Sequence, residues 1–264
     1  MQEILKRQSE KYLARYPKIF FCHVPKCAGV SLSKAIFSAV YPAFFKATRF
    51  AAYIDLKASQ VSEQLLGIDM MRARESQLIS HLESPHMVYT NGHCIARPDV
   101  VGKYYKHWHF VTVLRDPVDR FISEYVYNRY KSSQWQKHDS DISVYLNSDA
   151  ALTSGMTYAR YFSGITDANA IAERKASVVD AAVENLRRFS VCGTLDNMEK
   201  WEQDFNARFD VRIAIGNRNA TPNKQVYHDI VDDPQLMQCI RNLCDVDQRI
   251  YDAVKTASID SHAA

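Results

Sequence analysis

Apolar residues in this chain follow two rhythms: short unbroken runs, and longer stretches spaced three and four positions apart. The first rhythm marks strands buried on both faces, and the second marks helices with one face turned inward. Strands are predicted over 18–23, 87–90, 109–114, 190–193 and 211–215, and helices over 2–15, 30–39, 70–82, 117–131, 168–188, 196–207 and 234–255. Strands separated by helices call for parallel pairing with right-handed crossovers, an α/β fold with a parallel sheet flanked by helices. No repeat, low-complexity run or linker interrupts the order, so 1–264 reads as a single domain. The aromatic, weakly periodic segment 41–60, with Tyr41, Phe44, Phe45, Phe50 and Tyr53, reads either as one wall of a cleft or as a packed loop over the sheet.

Within that frame two strand-to-helix junctions carry chemistry. At the first, the strand residues Ile19, Phe20, Phe21 and Val24 run into Pro25-Lys26-Cys27-Ala28-Gly29, and a helical pattern follows from Val30. Backbone N–H groups of such a turn and of the first helical turn converge on one point, where an anion belongs. Lys26 precedes Gly29, whereas the Walker A pattern places its lysine after the second glycine, so an ordinary NTPase is disfavoured. No G-x-G-x-x-G follows the strand, which disfavours a dinucleotide fold. At the second junction the strand Phe110 to Leu114 ends in Arg115, and Pro117 opens a helix that carries Ser123. If that helix packs back on its strand, an arginine fork and a hydroxyl face one oxyanion, which suits a phosphate monoester.

Together these segments resemble the PAPS-dependent sulfotransferase superfamily, most closely its carbohydrate members of the heparan-sulfate 2-O- and 6-O-sulfotransferase type. HVPKCAGVSL is similar to that family's 5′-phosphosulfate loop, I-P-K-T-A-G-T-S-L, and VLRDPVDRFISEY to its 3′-phosphate segment, L-R-D-P-V-x-R-x-x-S-x-[YF]. The resemblance implies a P-loop-like sulfotransferase fold and 3′-phosphoadenosine 5′-phosphosulfate (PAPS) as co-substrate. It sets Lys26 against the bridging oxygen and sulfuryl group, with Ala28, Gly29, Val30 and Ser31 as backbone or hydroxyl donors, and Arg115 and Ser123 on the 3′-phosphate. Cys27 stands where the family has threonine, which leaves its backbone contact but weakens its side-chain one. The stretch around Arg160 and Tyr161 resembles a family segment containing T-R-Y-L, and 217–224 is a polar loop. Arg160 and Arg218 are therefore assigned to the nucleotide, with binding of an anionic acceptor by Arg160, Arg218 and Lys224 as the other option.

Transfer to an alcohol needs a base. His93 follows a strand end and the turn Thr90-Asn91-Gly92, on the side where open α/β sheets bind ligands. The segment also resembles the family's G-H loop, whose histidine is the base. His23 reads as a loop-bracing residue hydrogen-bonded to backbone, and Glu124 as a helix-face carboxylate; these two are the reserve bases. The resemblance points to a hydroxyl acceptor on a glycan or glycoconjugate, and to no bound metal. The remaining readings are a nucleotide or nucleoside kinase and a non-catalytic module that binds adenosine 3′,5′-bisphosphate.

Composition narrows the setting. The net charge of +3 fits an anionic ligand, and no Lys/Arg run of the density nucleic acid needs is present. No H-E-x-x-H or Cys-x-x-Cys occurs. The six cysteines form no spaced disulfide framework, and the charged N-terminal helical pattern has neither a signal-peptide core nor a membrane span. A cytoplasmic enzyme is expected.

Overall fold

A computed structural model of the protein describes residues 2–216 and 223–260. Five strands, β1 (Ile19–Cys22), β2 (Ala51–Tyr53), β3 (Tyr89–Gly92), β4 (His109–Leu114) and β5 (Val191–Thr194), pair in the order β2-β3-β1-β4-β5, every pair parallel. Central β1, Ile-Phe-Phe-Cys, is buried at all four positions, as a strand with neighbours on both edges and helices on both faces must be. Helix α1 (Gln2–Leu13) precedes it, α2 (Gly29–Val40) leads to β2, α3 (Leu56–Leu66) and α4 (Met70–Glu83) lead to β3, and α5 (Pro98–Tyr104) leads to β4. Between β4 and β5 lie α6 (Pro117–Tyr130), α7 (Ile142–Tyr145), α8 (Asp149–Gly155), α9 (Thr157–Phe162), α10 (Ala168–Glu173) and α11 (Lys175–Leu186). After β5 come α12 (Met198–Phe209), α13 (Lys224–Val231), α14 (Pro234–Leu243) and α15 (Asp245–Asp260).

The α/β architecture and the parallel sheet agree with the sequence pattern, and the departures have local causes. Segment 41–60 contains an edge strand: the Phe50 carbonyl accepts from Val88 and Tyr89 N–H, which sets Ala51 opposite Tyr89. Its Phe45 is fully buried among Tyr16, Tyr41 and Phe50, while Phe44 and Tyr53 stay exposed. Residues 211–215 form no strand. Ile213 is buried, but its N–H is spent on the Asn206 side chain at 2.8 Å, and β5 remains the sheet edge. The helix expected over 234–255 breaks at Cys244 because its halves serve two cores. Ile240 and Cys244 join Phe121, Tyr125 and Tyr145, whereas Val246, Ile250 and Tyr251 pack on the sheet. The one over 168–188 breaks at Arg174, with Ile171 and Val178 still seven apart in one core, a spacing at which the apolar rhythm does not register the break. All six cysteines are free thiols.

Candidate active site

The chain leaves β1 toward β2 on one side of the sheet and leaves β4 toward β5 on the other, so the crevice at the C-terminal ends of β1 and β4 is a topological switch point. Both predicted junctions open onto it. After β1 the backbone turns through left-handed conformations at Lys26 (φ 65°) and Ala28 (φ 54°), each costing on the order of 1 kcal/mol for an L-residue. Ala28 begins α2 with no side-chain cap, and the Ser31 and Leu32 N–H groups turn back to its carbonyl at 3.1 and 3.2 Å. The N–H groups of Lys26, Ala28, Gly29 and Val30 have no hydrogen-bond partner among the described residues. An uncapped helix start lined by free N–H groups fits the phosphosulfate end of a nucleotide.

Cys27 turns away from this cradle. Its thiol is buried and lies 3.7 Å from the Tyr158 hydroxyl. That hydroxyl accepts the Arg115 N–H at 2.9 Å and donates to the Arg115 carbonyl, so Tyr158 ties the two junctions together. Tyr158 is itself fixed at the start of α9, where the buried Asp247 carboxylate accepts N–H from Tyr158 at 2.7 Å and from Ala159 at 2.9 Å. Neither residue carries a local sequence signal, for Asp247 comes from α15, 89 positions from Tyr158, and no motif links them.

At the second junction Asp116 caps α6, accepting N–H from Val118 and Asp119 at 3.0 Å, with Pro117 in the first turn. Arg115 is half-buried with Nη2 3.9 Å from Asp119, and Ser123 is buried on α6. Glu124, expected on a helix face, is drawn inward: it accepts from Arg120 Nη1 at 2.6 Å and from Ser154 Oγ at 2.7 Å. Burial pushes its carboxyl up, but Arg120, Ser154 and Lys26 more than offset that and hold it below the ordinary range. Such a carboxylate is a poor base. Lys26 Nζ lies 3.9 Å from the Tyr127 ring centroid, one helical turn beyond Ser123. Burial lowers the Lys26 pKa; Glu124 raises it, and Arg115 and Lys131 lower it further. Tyr127 was also missed, though its position four residues after Ser123 on one helix face is a usable signal.

His93 stands directly after β3, aimed by Gly92 at φ 151°, where an added Cβ would come within 2.6 Å of Ile54. Its Nδ1 is 2.7 Å from the His23 carbonyl, and its own carbonyl accepts from Arg74 Nη1 at 3.1 Å. A carbonyl can only accept, so Nδ1 carries the proton and Nε2 keeps its lone pair. Burial lowers the His93 pKa below the ordinary 6.5; the bond to His23 and the charge of Glu124 oppose that, while Arg74 and Lys26 add to it. His23, expected to brace the loop by a hydrogen bond to backbone, is tied through its own N–H and carbonyl, and its ring instead packs against His93.

Two assignments remain, Arg160 and Arg218. Arg160 donates Nε–H to the Thr166 carbonyl at 2.7 Å and makes no hydrogen bond or ion pair to residues 25–31. Arg218 lies outside the described residues. A cavity of about 1000 Å³ beside the start of α6 is lined by Asp116, Asp119, Lys175, Arg241 and Asp245, among others, but by neither the cradle nor His93. Its carboxylates suit a bisphosphate poorly. Among the described residues no three His, Cys, Asp or Glu side chains converge as metal ligands would, and no helix is long and apolar enough to cross a membrane.

A parallel sheet with an uncapped backbone cradle after its central strand, and an arginine-bearing turn bound to it, defines a phosphate-binding α/β protein. A family model described as sulfotransferase family matches residues 12–252, and the chain belongs to that family. It is thus an enzyme that takes the sulfuryl group of its co-substrate PAPS to a hydroxyl acceptor. Comparison with curated proteins gives no match.

Proposed function

We propose that the enzyme sulfates a hydroxyl of a carbohydrate or glycoconjugate, with His93 as general base and Lys26 at the leaving oxygen. Likeness of both junctions to the heparan-sulfate 2-O- and 6-O-type enzymes supports the acceptor class. On this reading Lys26 and the free N–H groups of Ala28, Gly29 and Val30, with Ser31, hold the 5′-phosphosulfate, Cys27 adds at most its backbone, and Arg115 and Ser123 hold the 3′-phosphate. The His93 Nε2 lone pair takes the proton of the acceptor hydroxyl as its oxygen bonds to sulfur. The bond from sulfur to the bridging oxygen breaks, and adenosine 3′,5′-bisphosphate leaves with the electron pair and the negative charge. Donors already aimed at that oxygen stabilise the charge without reorganising.

One observation carries the base assignment, the Nδ1–H bond from His93 to the His23 carbonyl, which leaves Nε2 free in a ring that burial keeps neutral. Single-turnover transfer of radiolabelled sulfate to a desulfated glycosaminoglycan oligosaccharide tests it. His93→Ala should lose about a hundred- to ten-thousandfold in rate while binding adenosine 3′,5′-bisphosphate as the unaltered enzyme does. The wild-type rate should fall with pH only below 6.5, because the burial-lowered pKa keeps the imidazole neutral down to that point. A His93→Ala enzyme with most of its rate and the same pH profile would place the base elsewhere. Transfer to lipid or small-molecule hydroxyls but to no sugar would overturn the acceptor class.

A further inference from the structure

The His23 imidazole lies between the two halves of the site. On one side its ring centroid is 4.1 Å from that of His93, tilted by 37°, and on the other it lies so close over Gly29 that an added Cβ there would sit 1.7 Å from His23 Cδ2. Behind it the Phe21 ring stacks nearly parallel, 5.9 Å away and inclined by 8°. Its backbone is fixed as well, with N–H bonded to the Gly92 carbonyl at 3.1 Å and its carbonyl held by His93. Gly29 is therefore required less for the turn itself than for the ring that covers it, and that glycine also supplies one of the cradle's free N–H groups.

We infer that the His23 side chain is a positioning residue, a wedge that fixes the His93 ring relative to the phosphosulfate loop so that the base and the sulfur centre keep one spacing. On the reading of His93 as the base, the wedge ties the base to the donor's seat and not merely to its own strand. The charged and titratable groups around the pair are Arg74 from α4, Lys26 from the loop and Glu124 from α6. Burial pushes the His23 pKa well below 6.5, and its neighbour His93 adds to that, so the wedge itself stays uncharged.

Substitution of His23 leaves its carbonyl in place, so any loosening of the His93 Nδ1–H bond to that carbonyl is a consequence of losing the ring. In full-length His23→Ala, labelled-histidine NMR should show His93 losing part of its Nδ1–H tautomer, and its pKa should rise toward 6.5 as shielding from water is lost. Turnover with the same oligosaccharide should drop on the order of tenfold or more through misplacement of the base. Adenosine 3′,5′-bisphosphate affinity should change little, and the acid limb of the rate profile should move up in pH. His23→Asn, which keeps a flat side chain, should recover part of the turnover and, should His23→Ala fail to fold, carries the same readouts. Gly29→Ala drives a methyl into the ring, so adding His23→Ala to it should raise turnover instead of lowering it further.

The inference is overturned if the His93 tautomer and pKa stay as in the unaltered enzyme when the ring is removed, or if the Gly29 and His23 substitutions lower turnover independently. The NMR readout needs no acceptor. A shift in His93 with His93→Ala still active would therefore sink only the base assignment, and no shift with His93 indispensable would sink only the wedge.

Discussion

At Lys26 the backbone adopts a left-handed turn and the ammonium rests against the face of Tyr127 with Arg115, Lys131 and Glu124 nearby. Half-buried, it can oppose a growing negative charge with less screening than a surface lysine receives. With Lys26 at the leaving oxygen, as proposed, its charge would matter most when that oxygen becomes anionic, so Lys26→Ala should lower turnover by on the order of a hundredfold or more while weakening bisphosphate binding far less. Lys26→Arg should not restore it, because a wide planar fork does not replace a compact ammonium in this turn. Rapid-quench turnover beside calorimetric binding separates the two effects. A variant with normal turnover and only a raised Michaelis constant for the donor would reduce Lys26 to a binding group. Tyr127→Leu should cost less, since a cation–π contact is worth about 0.5–2 kcal/mol.

Among the elements, the two strand-to-helix junctions are bound to one another by α9. The Tyr158 hydroxyl bonds both backbone groups of Arg115 and lies against Cys27, so Tyr158→Phe should let the loops shift independently. The expected outcome is weaker binding of adenosine 3′,5′-bisphosphate by on the order of tenfold, from about 1 kcal/mol per hydrogen bond lost, with the His93 pH profile unchanged. Equal affinity in the variant would mean that the strands alone set the spacing. Both junctions were legible in the sequence because each is a local pattern: an apolar strand, a turn of small or charged residues, and a helix start. The clamp between them was not, since Tyr158 lies 43 positions from Arg115 and 131 from Cys27, distances over which periodicity carries no information. For the same reason β2 escaped notice: three residues hold their place through the Phe50 carbonyl and Tyr89, not through any rhythm of their own. Residues 211–215 failed in the opposite sense, having the apolar alternation of a strand while Asn206 of α12 takes the N–H of Ile213.

Across the whole molecule the site depends on the C-terminal helix, because Asp247 of α15 caps α9 and α9 presents Tyr158 to both loops. Asp247 is fully buried, and burial raises its pKa to about 7, against the pull of Arg120, the two N–H donors and Arg160. In the unfolded chain the same carboxyl ionises near its ordinary 3.8. Between those values the folded state keeps a proton that the unfolded state gives up, so this group's stabilisation is full below about 4 and is lost as pH rises to about 7. Asp247→Asn removes the titration and, through its amide, offers one carbonyl to two N–H groups, so it should cost about 1–3 kcal/mol at low pH. The stability gap between the two proteins should then narrow as pH rises, by at most about 1.4 kcal/mol per pH unit, which urea unfolding from pH ~4 to ~8 measures directly. The difference between the two proteins, and not the wild-type curve, is the quantity to follow, because carboxylates held low, such as Glu124 and Asp196, tilt both curves in the opposite direction. A gap that widened with pH would mean that Arg120 and the helix N–H groups outweigh burial and hold Asp247 ionised, in which case its charge and not its proton keeps α9 and both loops in place.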